Sequence, residues 1–276
     1  MSDNWAETKI NTKKGRMENG IFYYNKKMEI SYPEYGNAEY FGIEDKSFWF
    51  KYRNSCIEKI IENSGINGEI ADIGGGNGFV SKMMQEIGMD VMLVEPGENG
   101  VINAKKRGIK KIICGAFDRE MFEEEIENAG LFDVLEHIED DKKFIEDIYR
   151  IIRKNGKIII TVPAFNLLWS NEDEEVGHFR RYRLKEIEKT VENAGFKIEY
   201  SSYLFSFLWI PLFLLRTIPS FFGVRKKSSE ERIEKEHRAG VFVDRVLRYF
   251  EKLESKKIEK SKKIKFGTSC IIVAKK

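Results

Sequence analysis

Three glycines and an aspartate could form a binding site for a cationic ligand. Gly74, Gly76 and Gly78 lie in the run DIGGGNG at 72–78, between a predicted strand and a predicted helix. Glycines here allow a tight turn and a close approach of the backbone to a ligand. Asp72 would repel a pyrophosphate but favour an ammonium or sulfonium ion. The run is not a dinucleotide fingerprint, because Phe79 stands where that pattern needs glycine.

Glu95 adds a second acidic side chain at the end of the next predicted strand, in the sequence VMLVEP. A carboxylate about 20 residues after a glycine turn, at the tip of strand two, can accept hydrogen bonds from both ribose hydroxyls. Alone, a glutamate at a strand end is usually solvated. Together with the glycine turn it indicates a cofactor that contains adenosine.

The elements that must position these residues alternate between strand and helix. Strands are predicted at 69–73, 90–94, 111–114, 130–134 and 157–162, and helices at 79–87, 99–107, 119–128 and 140–153. A helix from Ser47 to Gly65 precedes them, and a loop at 164–183, a helix at 184–194 and strands at 197–203 and 267–274 follow. This rhythm favours a parallel sheet covered by helices on both faces.

Several motifs together resemble the class I S-adenosylmethionine-dependent methyltransferases. They are DIGGGNG, VEP at 94–96, GAFD at 115–118, FDVLEHIEDD at 132–141, RIIRKNGKIIITVPA at 150–164 and NAGF at 193–196. The resemblance covers about residues 69–203 plus the final strand. It implies a doubly wound α/β fold with a seven-stranded sheet in the order 3-2-1-4-5-7-6, with strand seven antiparallel. It also implies S-adenosyl-L-methionine as the cofactor.

The same resemblance implies roles for individual residues. Asp72 and the three glycines would hold the methionine end of the cofactor, and Glu95 the ribose. Ala116 and Phe117 would border the adenine, and Asp133 would also belong to the cofactor site.

Two histidines are candidates for catalysis. His137 follows the fourth predicted strand, whose carboxyl end faces the methyl group, and a neutral imidazole there could accept a proton from a hydroxyl. His178 lies in the loop after strand five. The surrounding run LWSNEDEEVGHFRRY at 168–182 resembles an uncharacterised branch of the family. Four further residues of this run are predicted to contact substrate: Trp169, Arg180, Arg181 and Tyr182.

A metal site is an alternative for the same region. Asp133, Glu136, His137 and His178 resemble the ligand set of metal-dependent O-methyltransferases that act on RNA ends or on quinones. Carboxylates and imidazoles suit a divalent ion, which could lower the pKa of a hydroxyl. The leading prediction has no metal.

Residues 204–263 are predicted to form an insertion before the last strand. We divide the chain into an N-terminal arm and helix (1–64), a cofactor-binding core (65–203), this insertion and a closing strand (264–276). The aromatic part, 204–222, is called the apolar segment below. It is predicted to be either a lid or a shallow membrane-surface patch.

Charge and composition narrow the partners. The net charge of +2 predicts no general affinity for nucleic acid, but residues 223–265 hold fifteen Lys/Arg against eight Asp/Glu. This excess of +7 suits a solvated helix face or an anionic partner. Three scattered cysteines and a polar N-terminal sequence suggest a cytoplasmic protein, peripheral at the membrane if the apolar segment faces lipid.

The sequence therefore predicts an S-adenosylmethionine-dependent methyltransferase that acts on an oxygen of a small or lipid-linked acceptor. A metal-dependent RNA or quinone O-methyltransferase remains an alternative. So does a cofactor-binding scaffold without turnover.

Overall fold

The computed structural model describes residues 5–25, 34–223 and 241–276. Within these residues, nine strands form one mixed sheet in the order β1-β2-β5-β4-β3-β6-β7-β9-β8. The strands are β1 Gly15–Glu18, β2 Ile21–Tyr24, β3 Glu69–Ile73, β4 Asp90–Glu95, β5 Lys111–Cys114, β6 Ile126–Phe132, β7 Ile152–Pro163, β8 Lys197–Leu204 and β9 Ser269–Lys275.

The predicted number of seven strands is wrong, although the seven core strands lie in the expected order. β9 runs antiparallel to both β7 and β8. The two additional strands, β1 and β2, form an antiparallel hairpin, and β2 extends the sheet by pairing in parallel with β5. The hairpin turns at Asn19-Gly20, both with positive φ. Asn-Gly is the preferred dipeptide in two-residue hairpin turns, so the sequence contained a signal for this hairpin.

The described helices cover the sheet and its carboxyl edge. They are α1 Trp5–Lys9, α2 Glu34–Glu44, α3 Phe48–Asn63, α4 Phe79–Glu86, α5 Glu98–Lys106, α6 Asp141–Ile151, α7 Asn171–Glu175, α8 Leu184–Asn193, α9 Trp209–Leu212, α10 Ile218–Phe221 and α11 Val241–Glu259. A π-helical turn, Phe213–Thr217, joins α9 to α10. Short 3-10 turns lie at Thr12–Lys14, Arg119–Met121, Leu135–His137, Asn166–Leu168 and Ser206–Leu208.

Two predictions for local structure fail for identifiable reasons. The helix expected at 119–128 is only a 3-10 turn, because the chain becomes extended at Ile126, which is fully buried and pairs with Ile152. The N-terminal region expected to be a loose arm contains the hairpin and α2 instead. Both regions are held by contacts with distant parts of the chain, which a local pattern does not reveal.

The burial of the central strands explains why their sequences are almost continuously apolar. Every residue of β3 is buried, and β4 is buried after its first residue. Strands covered on both faces need apolar side chains pointing both ways, which is the pattern of a parallel sheet between helices. Their carboxyl ends meet at one edge, where the loops after β3, β4, β6 and β7 are brought together.

The insertion is anchored to the core by Glu254 of α11. Its carboxylate accepts hydrogen bonds from the backbone amides of Phe205 (2.6 Å) and Ser206 (2.9 Å), so it caps the start of the apolar segment. At the far end of α11, Asn63 of α3 donates to the Ile258 carbonyl at 2.8 Å. Residues 224–240 of the predicted insertion lie outside the described residues. Among the described helices, none is both long and apolar enough to cross a membrane.

The hairpin is expected to be an integral part of the fold. Phe22 of β2 is 2% exposed and packs in the main core. Phe22→Ala should lower the free energy of unfolding by about 3–5 kcal/mol, because a large buried side chain is removed and a cavity remains. Chemical denaturation would measure this. Phe266→Ala is the control, since Phe266 is 55% exposed; equal small losses in both variants would contradict an integral hairpin.

Candidate active site

A cavity of about 830 Å³ lies at the carboxyl edge of the sheet. It is bordered by the loops after β3, β4, β5, β6 and β7, by α2 and α3, and by part of the insertion. Of the residues predicted for cofactor and catalysis, it is lined by Asp72, Gly74, Gly76, Glu95, Ala116, Phe117, Asp133, His137 and His178. The sheet topology therefore brings most of the predicted site together.

Glu95 is held rigidly at the tip of β4. Its Oε2 accepts from the Gly76 amide at 2.9 Å, and its Oε1 accepts from the Gly97 amide at 2.8 Å and the Asn37 side-chain amide at 3.2 Å. Burial raises the pKa of Glu95, and the Gly97 and Gly76 amides oppose that rise by stabilising the anion. A carboxylate has about four acceptor sites in all, so it retains acceptor capacity for the hydroxyls of a ribose.

Asp72 carries an unsatisfied oxygen at the same cavity. The residue is fully buried, and its Oδ2 accepts from the Ser81 hydroxyl at 2.6 Å. Its Oδ1 is buried without a hydrogen-bond partner in the described parts of the chain. Burial raises the pKa of Asp72 to about 6. A buried acceptor without a donor is costly, so this oxygen fits the cationic end of S-adenosylmethionine.

The three glycines of the turn differ in what they do. All have positive φ: 74° at Gly74, 52° at Gly76 and 74° at Gly78. A Cβ added at Gly76 would meet only Asn37 Oδ1, at 3.5 Å, among the described atoms. One added at Gly78 would lie 3.0 Å from the Cβ of Ala104. Gly78 lies outside the cavity lining and packs closely against α5, and its cofactor role stays a prediction.

The predicted adenine border is an aromatic wall. Phe117 is 7% exposed and packs edge-to-face on Phe144, with ring centroids 5.2 Å apart. Ala116, Phe117, Ile138 and Phe144 all line the cavity. An apolar slot beside Glu95 is suited to a flat heterocycle attached to a ribose.

His178 is oriented by a buried carboxylate. Its Nδ1 lies 2.8 Å from Asp173 Oδ1. Arg181 donates to both oxygens of Asp173, from Nε at 2.7 Å and from Nη2 at 3.0 Å, and Ser170 donates its amide at 2.9 Å. Burial alone would raise the pKa of Asp173, but the bonds from His178 and Arg181 hold it well below its usual range. An anionic Asp173 accepts a hydrogen bond from the Nδ1–H of His178, which leaves the lone pair of that imidazole on Nε2.

His137 and Glu136 lie beside that imidazole. The His137 and His178 ring centroids are 4.7 Å apart, and His178 Nε2 lies 3.9 Å from Glu136 Oε1. Burial, assisted by the nearby His178, lowers the pKa of His137 to about 3, so this ring is neutral near pH 7. Burial, followed by the charge of Asp133, raises the pKa of Glu136 well above its usual range.

Three of the four predicted metal ligands come together. The ligating atoms of Glu136, His137 and His178 lie within 4.8 Å of one another. Asp133 is engaged elsewhere, because it pairs with the Arg53 guanidinium and accepts from the Thr161 hydroxyl at 3.1 Å. The cluster of possible ligating atoms thus comprises Glu136, His137 and His178 without Asp133, and the metal site stays an untested alternative to the prediction of no metal.

Only one of the four predicted substrate residues lines the cavity. Arg181 does so while holding Asp173. Its neighbours point away: Arg180 donates to the Glu139 carbonyl at 2.6 Å, and the buried Tyr182 hydroxyl donates to Asp141 at 2.8 Å. In extended chain, successive side chains alternate in direction, which explains the split.

The fourth predicted substrate residue is also directed elsewhere. Trp169 donates its indole N–H to Glu174 at 3.4 Å and lies outside the cavity lining. Trp169, Arg180 and Tyr182 therefore lie outside the lining of this cavity, and their substrate roles stay predictions.

The sequence interpretation missed the contribution of α2 and α3. Asn37, Tyr40 and Glu44 line the cavity from α2, and Phe48, Trp49, Phe50 and Arg53 line it from α3. The Arg53 guanidinium lies 4.9 Å from the Trp49 ring centroid while it pairs with Asp133. The aromatic run at 48–52 was the available signal.

Comparisons with known proteins agree with this geometry. Residues 48–201, more than half of the chain, match the family described as methyltransferase domain. A Mycolicibacterium smegmatis protein named "Probable S-adenosylmethionine-dependent methyltransferase" is 19% identical over 57% of this chain and 63% of its own length. An uncharacterised Methanocaldococcus jannaschii protein, MJ1123, is 31% identical over 46% of this chain and 63% of its own. The chain thus spans less than two thirds of each relative.

A similar fold occurs in Haemonchus contortus phosphoethanolamine N-methyltransferase 2, solved in complex with S-adenosyl-L-methionine. The TM-score is 0.53 at 18% identity, over 92% of this chain and 61% of that one. At this identity the likeness concerns the fold alone.

The glycine pair separates ligand approach from packing. Gly76→Ala should weaken S-adenosylhomocysteine binding at least about tenfold, because the new methyl group occupies space that the ligand needs. Gly78→Ala should instead lower stability by about 1–3 kcal/mol more than Gly76→Ala does, because it also crowds Ala104. Both substitutions place a side chain on a residue with positive φ. Each variant is therefore the control for the backbone strain in the other. Calorimetry and denaturation would measure the two effects; a reversed pattern would refute the assignment.

Cofactor binding should release a proton at mildly acidic pH. With the pKa of Asp72 raised to about 6, a fraction of this carboxyl is protonated at pH 5.5. A cationic ligand favours the carboxylate and lowers that pKa, so the affinity should rise as the pH increases through 6. Calorimetry in buffers of different ionisation enthalpy would count the proton. Asp72→Asn should release fewer protons, and an unchanged count would assign the effect to another group.

Proposed function

The chain belongs to the class I S-adenosylmethionine-dependent methyltransferase family, and from that premise we propose that it methylates an oxygen of a small or lipid-linked acceptor. The observation that supports an oxygen acceptor is the His178–Asp173 pair, which shares one cavity with Glu95 and Asp72. A hydroxyl is a weak nucleophile near neutral pH and needs a base close to it. An oriented imidazole with a free lone pair supplies one.

The cofactor side of the cavity would fix the donor. S-adenosylmethionine, when bound, supplies an electrophilic methyl group on a sulfonium ion. Glu95 would hold the ribose hydroxyls, Asp72 the cationic end, and the Phe117 wall the base. The contribution of these residues is mainly alignment, because holding two reactants in line removes much of the entropic barrier to their reaction.

The acceptor side would remove the proton. Arg181 keeps Asp173 anionic, and Asp173 keeps the Nδ1 proton of His178 in place. His178 Nε2 would then take the proton that the hydroxyl loses when the methyl group passes from the sulfonium sulfur to the oxygen and leaves a thioether behind. Unrelated hydrolases use the same pair of side chains, in which the aspartate carboxylate orients the imidazole and stabilises its cation. His137 beside it is neutral near pH 7 and would border the acceptor without adding a charge.

The walls of the cavity favour an acceptor with an apolar part. Phe48, Val176, Leu208 and Leu212 line it, together with the aromatic side chains of α3. Binding sites of this size that are mostly apolar fix their ligand with a few polar groups, here the histidines and Arg181. A quinol, a phenol or a lipid-linked sugar meets this description.

Removing the oriented base should lower turnover without loosening the cofactor. His178→Gln and Asp173→Asn should each reduce kcat by about 10²–10⁴-fold, the usual contribution of a general base. S-adenosylhomocysteine affinity should stay within about twofold, because neither residue contacts Glu95 or Asp72. Transfer from radiolabelled S-adenosylmethionine to a panel of phenols, quinols and polyprenyl-phosphate sugars would measure it. Arg180→Gln is the control, since Arg180 points away from the cavity.

Chelation separates the base from the metal alternative. Activity that persists in EDTA supports the His178–Asp173 base. Activity that is lost in EDTA and restored by a divalent cation would replace it with the Glu136–His137–His178 cluster. Tight S-adenosylhomocysteine binding with no transfer to any acceptor would refute the enzymatic proposal and favour a scaffold.

A further inference from the structure

The apolar segment forms part of the cavity wall. Leu208, Pro211, Leu212, Leu215 and Arg216 line the cavity beside the histidine loop. A lid would line the cavity in this way. One face of the segment therefore packs against the rest of the protein.

The opposite face of the same segment is unusually exposed. Five large apolar side chains between residues 210 and 222 are mostly open to solvent: Ile210 (64%), Leu214 (52%), Leu215 (69%), Phe221 (84%) and Phe222 (71%). Single exposed apolar residues are ordinary on protein surfaces, but five of them within one short helical segment are a concentration that indicates an interaction site. We call these five side chains the apolar patch.

The patch is held in a fixed orientation. Arg216 lies 3.5 Å from Glu172 of α7, and the Ser220 hydroxyl accepts from the Asn171 amide at 3.4 Å. These contacts tie the inner face of the segment to the loop that carries His178. Because this inner face is held against the loop, the patch stays on the outer side of the segment. Leu215 belongs to both faces, so the patch borders the opening of the cavity.

The charge pattern indicates what covers the patch. Directly after Phe222, residues 223–265 carry an excess of seven positive charges. An apolar face next to a basic segment is typical of helices that lie in the plane of a bilayer with anionic headgroups. A second copy of this chain would bring two such basic segments together and would be opposed by their repulsion.

We propose that the apolar patch inserts into the headgroup region of an anionic membrane, which places the cavity opening against the lipid surface. Phe221 and Phe222, the most exposed of the five, would enter furthest. The docking itself stands without the proposed function. The corollary, that the acceptor is carried in the membrane, rests on it.

Vesicle flotation of the full chain, without cofactor or acceptor, tests the docking. The probes are vesicles of phosphatidylcholine alone and of phosphatidylcholine with phosphatidylglycerol. We expect flotation with the anionic vesicles that weakens as salt is raised from about 0.05 to 0.5 M, because screening shortens the reach of the basic segment. The double variant Phe221→Ser/Phe222→Ser should bind at least about tenfold more weakly, because two apolar side chains no longer insert.

A matched pair of substitutions guards against general effects of lost apolar surface. Ile102→Ser/Phe266→Ser also removes two exposed apolar side chains, 40% and 55% exposed, but away from the patch. This control should float like the unchanged protein, and both variants should retain S-adenosylhomocysteine affinity, which shows that they fold.

Three outcomes would overturn the proposal: no flotation, flotation of the Phe221/Phe222 variant equal to that of the control, or equal binding to neutral vesicles. A dimer in light scattering that only the Phe221/Phe222 variant abolishes would also overturn it, in favour of a second copy. None of these depends on methyl transfer. Failure to methylate any acceptor would therefore leave the docking result intact.

Discussion

The Glu95 carboxylate is the interaction on which the cofactor side of this molecule depends. It accepts from the amide of Gly76 in the loop after β3, from the amide of Gly97 after β4, and from Asn37 of α2. One buried anion thus fixes two loops of the core and one helix of the N-terminal region in a single geometry. The cost of burying a charge is offset only while these donors stay in place, so the site is organised before a ligand arrives.

A second buried anion does the same for the acceptor side. Asp173 receives two donors from Arg181, one from His178 and one from the Ser170 amide. Because Arg181 and His178 both bond to it, the Asp173 carboxylate fixes the polar side chains of the loop after β7. Apolar side chains can shift against one another and stay in contact. A carboxylate whose hydrogen bonds are all made keeps them in only one arrangement of its donors.

The sequence predicted what is encoded locally and missed what long-range contact decides. The glycine turn and Glu95 follow from residue types and spacing, and the order of the seven core strands follows from the resemblance to a known family. The β1–β2 hairpin was missed because its strands are only four residues long, although Asn19-Gly20 marks its turn. Gly78 and Tyr182 were predicted for the site together with their neighbours, and the structure places both outside the cavity lining. Only the direction of each side chain, which motif spacing does not encode, separates a residue that lines a cavity from one that packs behind it.

The position of β9 has a consequence for biosynthesis. β8 pairs only with β9 in the described sheet, and β9 is the last strand, lying between β7 and β8. During translation, β8 therefore emerges without its neighbour, and the apolar segment follows it before the sheet can close. Non-local pairing of this kind is slow and leaves apolar surface uncovered in the meantime. The nascent chain should depend on chaperone protection from the synthesis of β8 until residues 269–275 leave the ribosome.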